Sequence, residues 1–152
     1  MCGGLSAADV GAAVGAEFDS AADSSVEPQQ TCLFSSSTAT DGVTVMAQPA
    51  ETYLGGMLAG LPAEEALAQL AIAQTTVLDD GYVVEQTTIG ESPAVVITGT
   101  NAMVAIPTGY ASTVVDGVVI EVTLDGTNFA PDPAGLGPLA SAVLELAVGT
   151  QA

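Results

Sequence analysis

The sequence contains no lysine, arginine or histidine, although it has 18 aspartates and glutamates. Basic residues normally supply about half of the ~25% charged fraction of a soluble domain. Without them the chain has no imidazole base, no lysine for a Schiff base and no cationic group that grips phosphate. The formal net charge of −18 argues against binding to nucleic acid or to an anionic membrane surface. We therefore expect neither enzyme activity nor a cofactor.

Aromatic side chains are also scarce. The chain has no tryptophan, three tyrosines and three phenylalanines, which leaves no aromatic platform for a sugar. Paired carboxylates, the groups that glycosidases use, are the only acid–base option, at Asp79–Asp80 and Glu64–Glu65. The first pair precedes a turn glycine and the second begins a helix, so structural roles explain both pairs.

The apolar residues predict a folded domain in spite of the charge. Hydrophobic residues occupy 49% of the 152 positions and charged residues only 12%, whereas disorder requires low hydrophobicity together with high charge. A chain of this length can bury a sizeable core. We therefore predict a single domain over residues 1–152, with most carboxylates in a solvated negative coat.

The first half of the chain has two regions with helix signals. Ser6 and Asp9 form a variant of the capping box, and Gly15 ends the short helix that they begin. The region from Pro49 to Val77 predicts two helices with a joint near Gly60. Their apolar faces would be Leu54, Met57, Leu58 and Leu61, followed by Leu67, Leu70, Ala71 and Gln74.

Strand signals dominate the second half, before a last helix from Pro138 to Gly149. Asp116–Gly117 is a hairpin turn, and Asp41–Gly42 is another. The last helix would have the apolar stripe Leu139, Ala142, Val143 and Leu146. The candidate strands of this half are Tyr82–Ile89, Ala94–Thr98, Ala102–Ile106, Ser112–Val115 and Val118–Leu124. This order predicts an α+β fold, in which an antiparallel sheet of about five to six strands has helices packed on one face.

The two cysteines, Cys2 and Cys32, lie at the two ends of the N-terminal segment. An even cysteine count in a secreted domain favours a disulfide, which would stabilise the fold by about 3–4 kcal/mol. Two alternatives stay open from the residues alone. Cys2 followed by two glycines is also typical of a lipidated cysteine, and both thiols could be free and buried.

Several short motifs resemble one family. The run Cys2–Val10, the pair Val14–Gly15 and the segment Thr31–Phe34 resemble the opening of small actinobacterial cell-envelope lipoproteins of unknown function. The likeness continues in Ile89–Ala94 and in the last strand and helix, and the chain is also similar to the extracellular sensor domains of mycobacterial receptor kinases. The missing basic residues depart from this pattern.

This resemblance implies a secreted or surface-anchored α+β domain in its mature form, after removal of a signal peptide. It implies a disulfide between Cys2 and Cys32 that ties the N-terminal helix, and it implies no catalytic residue. The expected location is therefore extracellular or at the cell surface.

Two sets of side chains are candidates for binding. Aromatic and methionine side chains could line an apolar ligand cavity between sheet and helices, although core packing explains them equally well. These are Tyr53, Met57, Tyr82, Met103 and Tyr110. Asp125, Asn128 and Asp132 form an oxygen-rich loop, which suits only calcium among metals, although a turn explains it too.

We expect a non-enzymatic extracytoplasmic domain that binds a small apolar ligand or an envelope protein. A structural subunit that self-associates outside the cell is the first alternative, because low charge and a composition without trypsin sites suit a durable polymer. A domain from which all basic residues were removed by design is the second.

Overall fold

The fold is built on one antiparallel sheet. The computed structural model describes residues 4–36, 42–126, 129 and 132–151. The strands of the sheet are β1 (Ser20–Asp23), β2 (Gln30–Ser35), β3 (Gly42–Pro49), β4 (Val83–Ile89), β5 (Ser92–Thr100), β6 (Pro107–Val115) and β7 (Val118–Asp125). They lie in the order β1-β2-β3-β7-β6-β5-β4, and each strand is antiparallel to its neighbours. The α+β class with an antiparallel sheet is confirmed.

The predicted number of about five to six strands is wrong, because the residues that the structure describes already form seven. The four residues of β1 are all exposed and polar or small, so they carry no alternating pattern. The predicted strand Ala102–Ile106 is instead a turn, closed by the Ala105 N–H donating to the Asn101 carbonyl at 2.8 Å. The hairpin turn Asp116–Gly117 is confirmed between β6 and β7, with φ of 50° and 78°.

In the described part of the chain, three α-helices accompany the sheet: α1 (Ala7–Val14), α2 (Ala63–Thr75) and α3 (Leu136–Gln151). The predicted cap of α1 is confirmed, because Ser6 Oγ accepts from the Asp9 N–H at 3.1 Å and donates to Asp9 Oδ2 at 2.8 Å. Gly15 ends α1 in the left-handed conformation, with φ of 69°. These contacts satisfy helix-end groups within the segment itself.

Helices pack on both faces of the sheet, and the prediction of one covered face is wrong. Alternate residues of single strands belong to two separate cores: Ile120 and Val122 lie in the core with α1 and α3, whereas Val119 lies in the core with α2. On β5, Val96 belongs to the first core and Val95 to the second. Because side chains alternate along a strand, the two cores lie on opposite faces, which we call the α3 face and the α2 face.

The chain before α2 is not the predicted helix. β3 continues to Pro49, and a short 3₁₀ segment, Tyr53–Gly56, follows with Leu54 at a φ of 51°. Leu58 is buried, but Leu54 and Met57 are 42% and 60% exposed, so they form no common apolar face. In α2 itself, Leu67, Leu70 and Gln74 are buried as predicted.

The last helix is longer than predicted, and a different set of its side chains faces the core. It begins at Leu136, after a short 3₁₀ turn at Pro133–Gly135, and passes through Gly149 without ending there. Its fully buried residues are Leu136, Ala140, Val143, Leu144 and Ala147, whereas the predicted Leu139, Ala142 and Leu146 are only partly buried. Gly109 of β6 lets α3 approach closely, since a Cβ there would lie 2.8 Å from Leu136 Cβ.

Cys32 lies in β2 and is 3% exposed. It belongs to the same core as Val10, and the partly buried Leu5 packs against that core. Cys2 lies outside the described residues, so the tie between the N-terminal helix and Cys32 stays a prediction.

No helix in the described part of the chain combines the length and the apolar character needed to cross a bilayer.

Candidate functional site

Two adjoining cavities lie on the α3 face beside β4. The first, of about 300 Å³, lies between β4, β5 and the start of α3. The second, of about 260 Å³, continues it toward the turn before β4. Val83, Thr98 and Ala134 line both cavities, so we treat them as one surface, the β4 groove. Its remaining lining residues are Asp79, Gly81, Glu85, Thr87, Val96, Gly99, Thr100, Asp132, Pro133, Gly137, Pro138 and Ser141.

The groove exists because α3 covers the sheet unevenly. Its buried residues pack mainly over the central strands, in a core that contains Ala111 of β6 and Val122 of β7. At the margin, β4 is exposed at six of its seven positions, and only Ile89 is buried. The β4 strand therefore extends past the helix and forms an open wall of the groove, opposite Ala134.

Every ionisable group that lines the groove is acidic. Asp79 and Asp132 line one end, and Glu85 lines the middle. Asp79 Oδ1 accepts from the Gly81 N–H at 3.1 Å, and Asp132 Oδ1 accepts from the Ala134 N–H at 2.9 Å. The sequence has no basic side chain, so the chain itself supplies no side-chain cation to these carboxylates. The groove is suited to a cationic ligand.

The side chains predicted to line a ligand pocket are only partly brought together. Tyr53 and Tyr110 belong to the core on the α2 face. Met57, Tyr82 and Met103 are 60%, 43% and 90% exposed. None of the five lines the β4 groove.

Tyr53 instead belongs to a buried polar cluster under α2. Its hydroxyl donates to Glu121 Oε2 at 2.7 Å. Gln74 of α2 donates through Nε2 to Ser112 Oγ at 3.1 Å, and its side chain also bonds Glu121. Ser112 and Glu121 face each other across β6 and β7. The cluster thus joins α2, the 3₁₀ segment and two central strands.

Burial changes the acidity of this cluster. It raises the pKa of Glu121 above its ordinary value, although the hydrogen bonds from Tyr53 and Gln74 act in the opposite direction. Burial and the nearby Glu121 carboxylate also raise the pKa of Tyr53. The pKa of Tyr110 rises to about 12, mainly through burial and also through Asp125 and Glu121. Without a cation nearby, burial makes the charged form of each group less favourable than it is in water.

Two of the predicted calcium residues make hydrogen bonds within the chain. Asp125 Oδ1 accepts from Thr108 Oγ1 at 3.0 Å on β6, while Asp132 caps the 3₁₀ turn before α3. Asn128 lies outside the described residues. No group of three or more His, Cys, Asp or Glu side chains that could hold a metal ion occurs among the residues that the structure describes.

Sequence reasoning did not find the β4 groove. A signal was present, because Val83–Ile89 is a seven-residue strand rich in β-branched residues, without proline or lysine. Such a strand is poorly protected when it lies at an edge. Its place at the edge depends on the strand order, which the sequence does not display.

No protein-family model matches the sequence, and no curated protein matches it significantly. The resemblance to envelope lipoproteins and sensor domains therefore stays a prediction.

Proposed function

We propose that this chain is a non-enzymatic extracytoplasmic domain that binds a polypeptide partner in the β4 groove. The observation that carries the proposal is the meeting of two adjoining cavities with an exposed edge strand on one face of the sheet. An edge strand offers unpaired backbone groups, and a neighbouring groove offers places for side chains.

A polypeptide suits this groove better than a small apolar ligand. Small-molecule sites enclose their ligand in a mainly apolar cavity. The β4 groove instead mixes apolar side chains with threonines and carboxylates, and its wall residue Val83 is 57% exposed. Such a surface offers hydrogen bonds and charge along its length.

Selection from a displayed library of random peptides tests the proposal. We expect enriched peptides to lose binding to the variant Ala134→Trp, which fills the groove where both cavities meet. The matched control is Ala68→Trp, at an exposed position of α2 on the opposite face, and it should bind as the native chain does. Failure to enrich any peptide, or peptides that bind both variants equally, would contradict the proposal.

Extracytoplasmic location rests on the proposed disulfide between Cys2 and Cys32. It is supported by the absence of a free cysteine among the described residues and by the burial of Cys32 next to the core that Leu5 contacts. Disulfides persist in oxidising compartments.

Thiol counting in denaturant tests this bond. We expect no reactive thiol before reduction and two after it, with a Tm that falls on reduction because the closed loop restricts the unfolded chain. The variant with both cysteines replaced by serine should match the reduced protein. One reactive thiol before reduction would favour a lipidated Cys2, and two would indicate free cysteines.

A further inference from the structure

We propose that the polypeptide partner is an extended, basic segment whose backbone pairs with the open edge of β4 as an eighth strand and whose side chains on the α3 face reach into the β4 groove. This inference rests on the proposed function, and it names the chemistry and the conformation of the partner.

The backbone of β4 has hydrogen-bonding groups that face away from the sheet. Facing residues of antiparallel strands alternate between pairs that exchange hydrogen bonds and pairs that exchange none. Pro93 has no N–H and lies opposite Thr88, so this pair is of the second kind. Because the two kinds of pair alternate along the strands, Gln86 and Val84 also belong to pairs that exchange no hydrogen bonds. The N–H and C=O groups of these three residues therefore point outward.

This edge has few of the devices that usually prevent strand addition. Native edges are short, or carry charged side chains (especially lysine), proline or bulges, and β4 carries one charged residue, Glu85. At the other edge of the sheet, β1 has only four residues. β4 has seven, pairs with β5 in continuous register, and contains no proline or lysine. β4 is therefore long enough, and its outward backbone groups are regularly enough spaced, to pair with another strand.

Charge selects the occupant. Asp79, Glu85 and Asp132 line the groove, and a segment with lysine or arginine would give them the cationic side chains that the sequence itself lacks. A second copy of this chain would bring a further net charge of −18, which opposes self-association. A basic segment is therefore favoured over a second copy.

The experiment uses blocked, fluorescent seven-residue peptides and the full chain. One peptide alternates lysine with valine, and a second replaces each lysine with glutamate. Two further versions of the lysine peptide carry N-methyl groups, on every lysine or on every valine. In a strand, successive N–H groups point to opposite sides, so only one methylated set would face β4.

We expect the lysine peptide to bind and the glutamate peptide not to bind, and we expect affinity to fall with salt. One methylated peptide should lose at least about tenfold in affinity, because several hydrogen bonds are removed, while the other should bind nearly as before. Glu85→Gln should weaken the lysine peptide about two- to fivefold, as for an exposed ion pair. The matched control is Glu51→Gln, an exposed acid outside the groove, and it should have a smaller effect.

Amide hydrogen exchange gives the most direct measurement. Bound peptide should slow exchange at Val84, Gln86 and Thr88, while the alternate amides, which already face β5, should change little. Groove binding without this protection, or with equal loss for both methylated peptides, would overturn the added strand but leave the proposed function standing. The same protection appearing with protein concentration alone would identify a second copy instead. If no peptide is found whose binding is abolished by Ala134→Trp, both proposals are contradicted.

Discussion

Replacing Leu144 with alanine is expected to lower the free energy of unfolding by about 2–5 kcal/mol, the range for removing a fully buried leucine side chain. Leu144 is completely inaccessible and lies in the core between α3 and the sheet. Leu146→Ala makes the same change two residues along the same helix, where the side chain is only partly buried. We expect it to cost less than half as much.

Urea unfolding followed by circular dichroism measures both variants, because the chain has no tryptophan. Both substitutions change helix propensity equally, so the difference between them reports packing. A larger loss of unfolding free energy for Leu146→Ala than for Leu144→Ala would contradict the burial of Leu144 against the sheet. It would favour the stripe expected from the sequence.

Of that stripe only Val143 is fully buried, because α3 has apolar side chains on more than one side. Leu139 and Leu146 have helical spacing with Val143, but so do Leu136 and Ala140, and Leu144 has it with Ala140. Periodicity alone does not choose between two overlapping stripes in such a helix. The choice comes from Gly109, which allows Leu136 to approach β6.

The start of α1 was predictable because its signals are local. Ser6, Asp9 and Gly15 act within a few residues of one another, and a hairpin turn such as Asp116–Gly117 is equally local. Local hydrogen bonds and backbone preferences are enough to specify these features. Features of this kind can therefore be predicted from the sequence.

The second covered face was missed, although β5 contained a signal for it. Ala94–Ile97 is a continuous apolar run, and both of its faces are buried. Such a run is typical of a strand covered on both sides. The alternation in β7 gave the opposite impression, since Glu121 follows the apolar Ile120 and would normally face solvent. Its partner Tyr53 is 68 residues away, and no local pattern joins them.

Replacing Glu121 with glutamine is expected to raise stability at neutral pH and to leave it nearly unchanged at low pH. Burial raises the pKa of Glu121 in the folded chain, so the folded state binds this proton more tightly than the unfolded state does. As pH rises from the ordinary glutamate pKa through the raised one, the native protein loses stability. Above that window the loss is complete and constant, and glutamine avoids it.

Glutamine is the right substitution because it keeps the shape and an oxygen that accepts from Tyr53. The present bond joins the Tyr53 hydroxyl to Glu121 Oε2 at 2.7 Å, and a charged acceptor makes such a bond stronger. The glutamine variant gives up that extra strength. The net direction of the pKa change indicates that burial outweighs it, since the contributions of Tyr53 and Gln74 are smaller.

The measurement is urea unfolding of both proteins from about pH 4.5 to 8, at protein concentrations low enough to avoid precipitation near the acidic pI. Removing any carboxylate from a chain of net charge −18 relieves general repulsion, so a control must separate that effect. Glu91→Gln removes the same charge from an exposed turn. We expect the gain of Glu121→Gln over Glu91→Gln to grow with pH and then level off. An equal gain for both variants at every pH, or a larger gain at low pH, would show that burial does not favour the neutral form of Glu121.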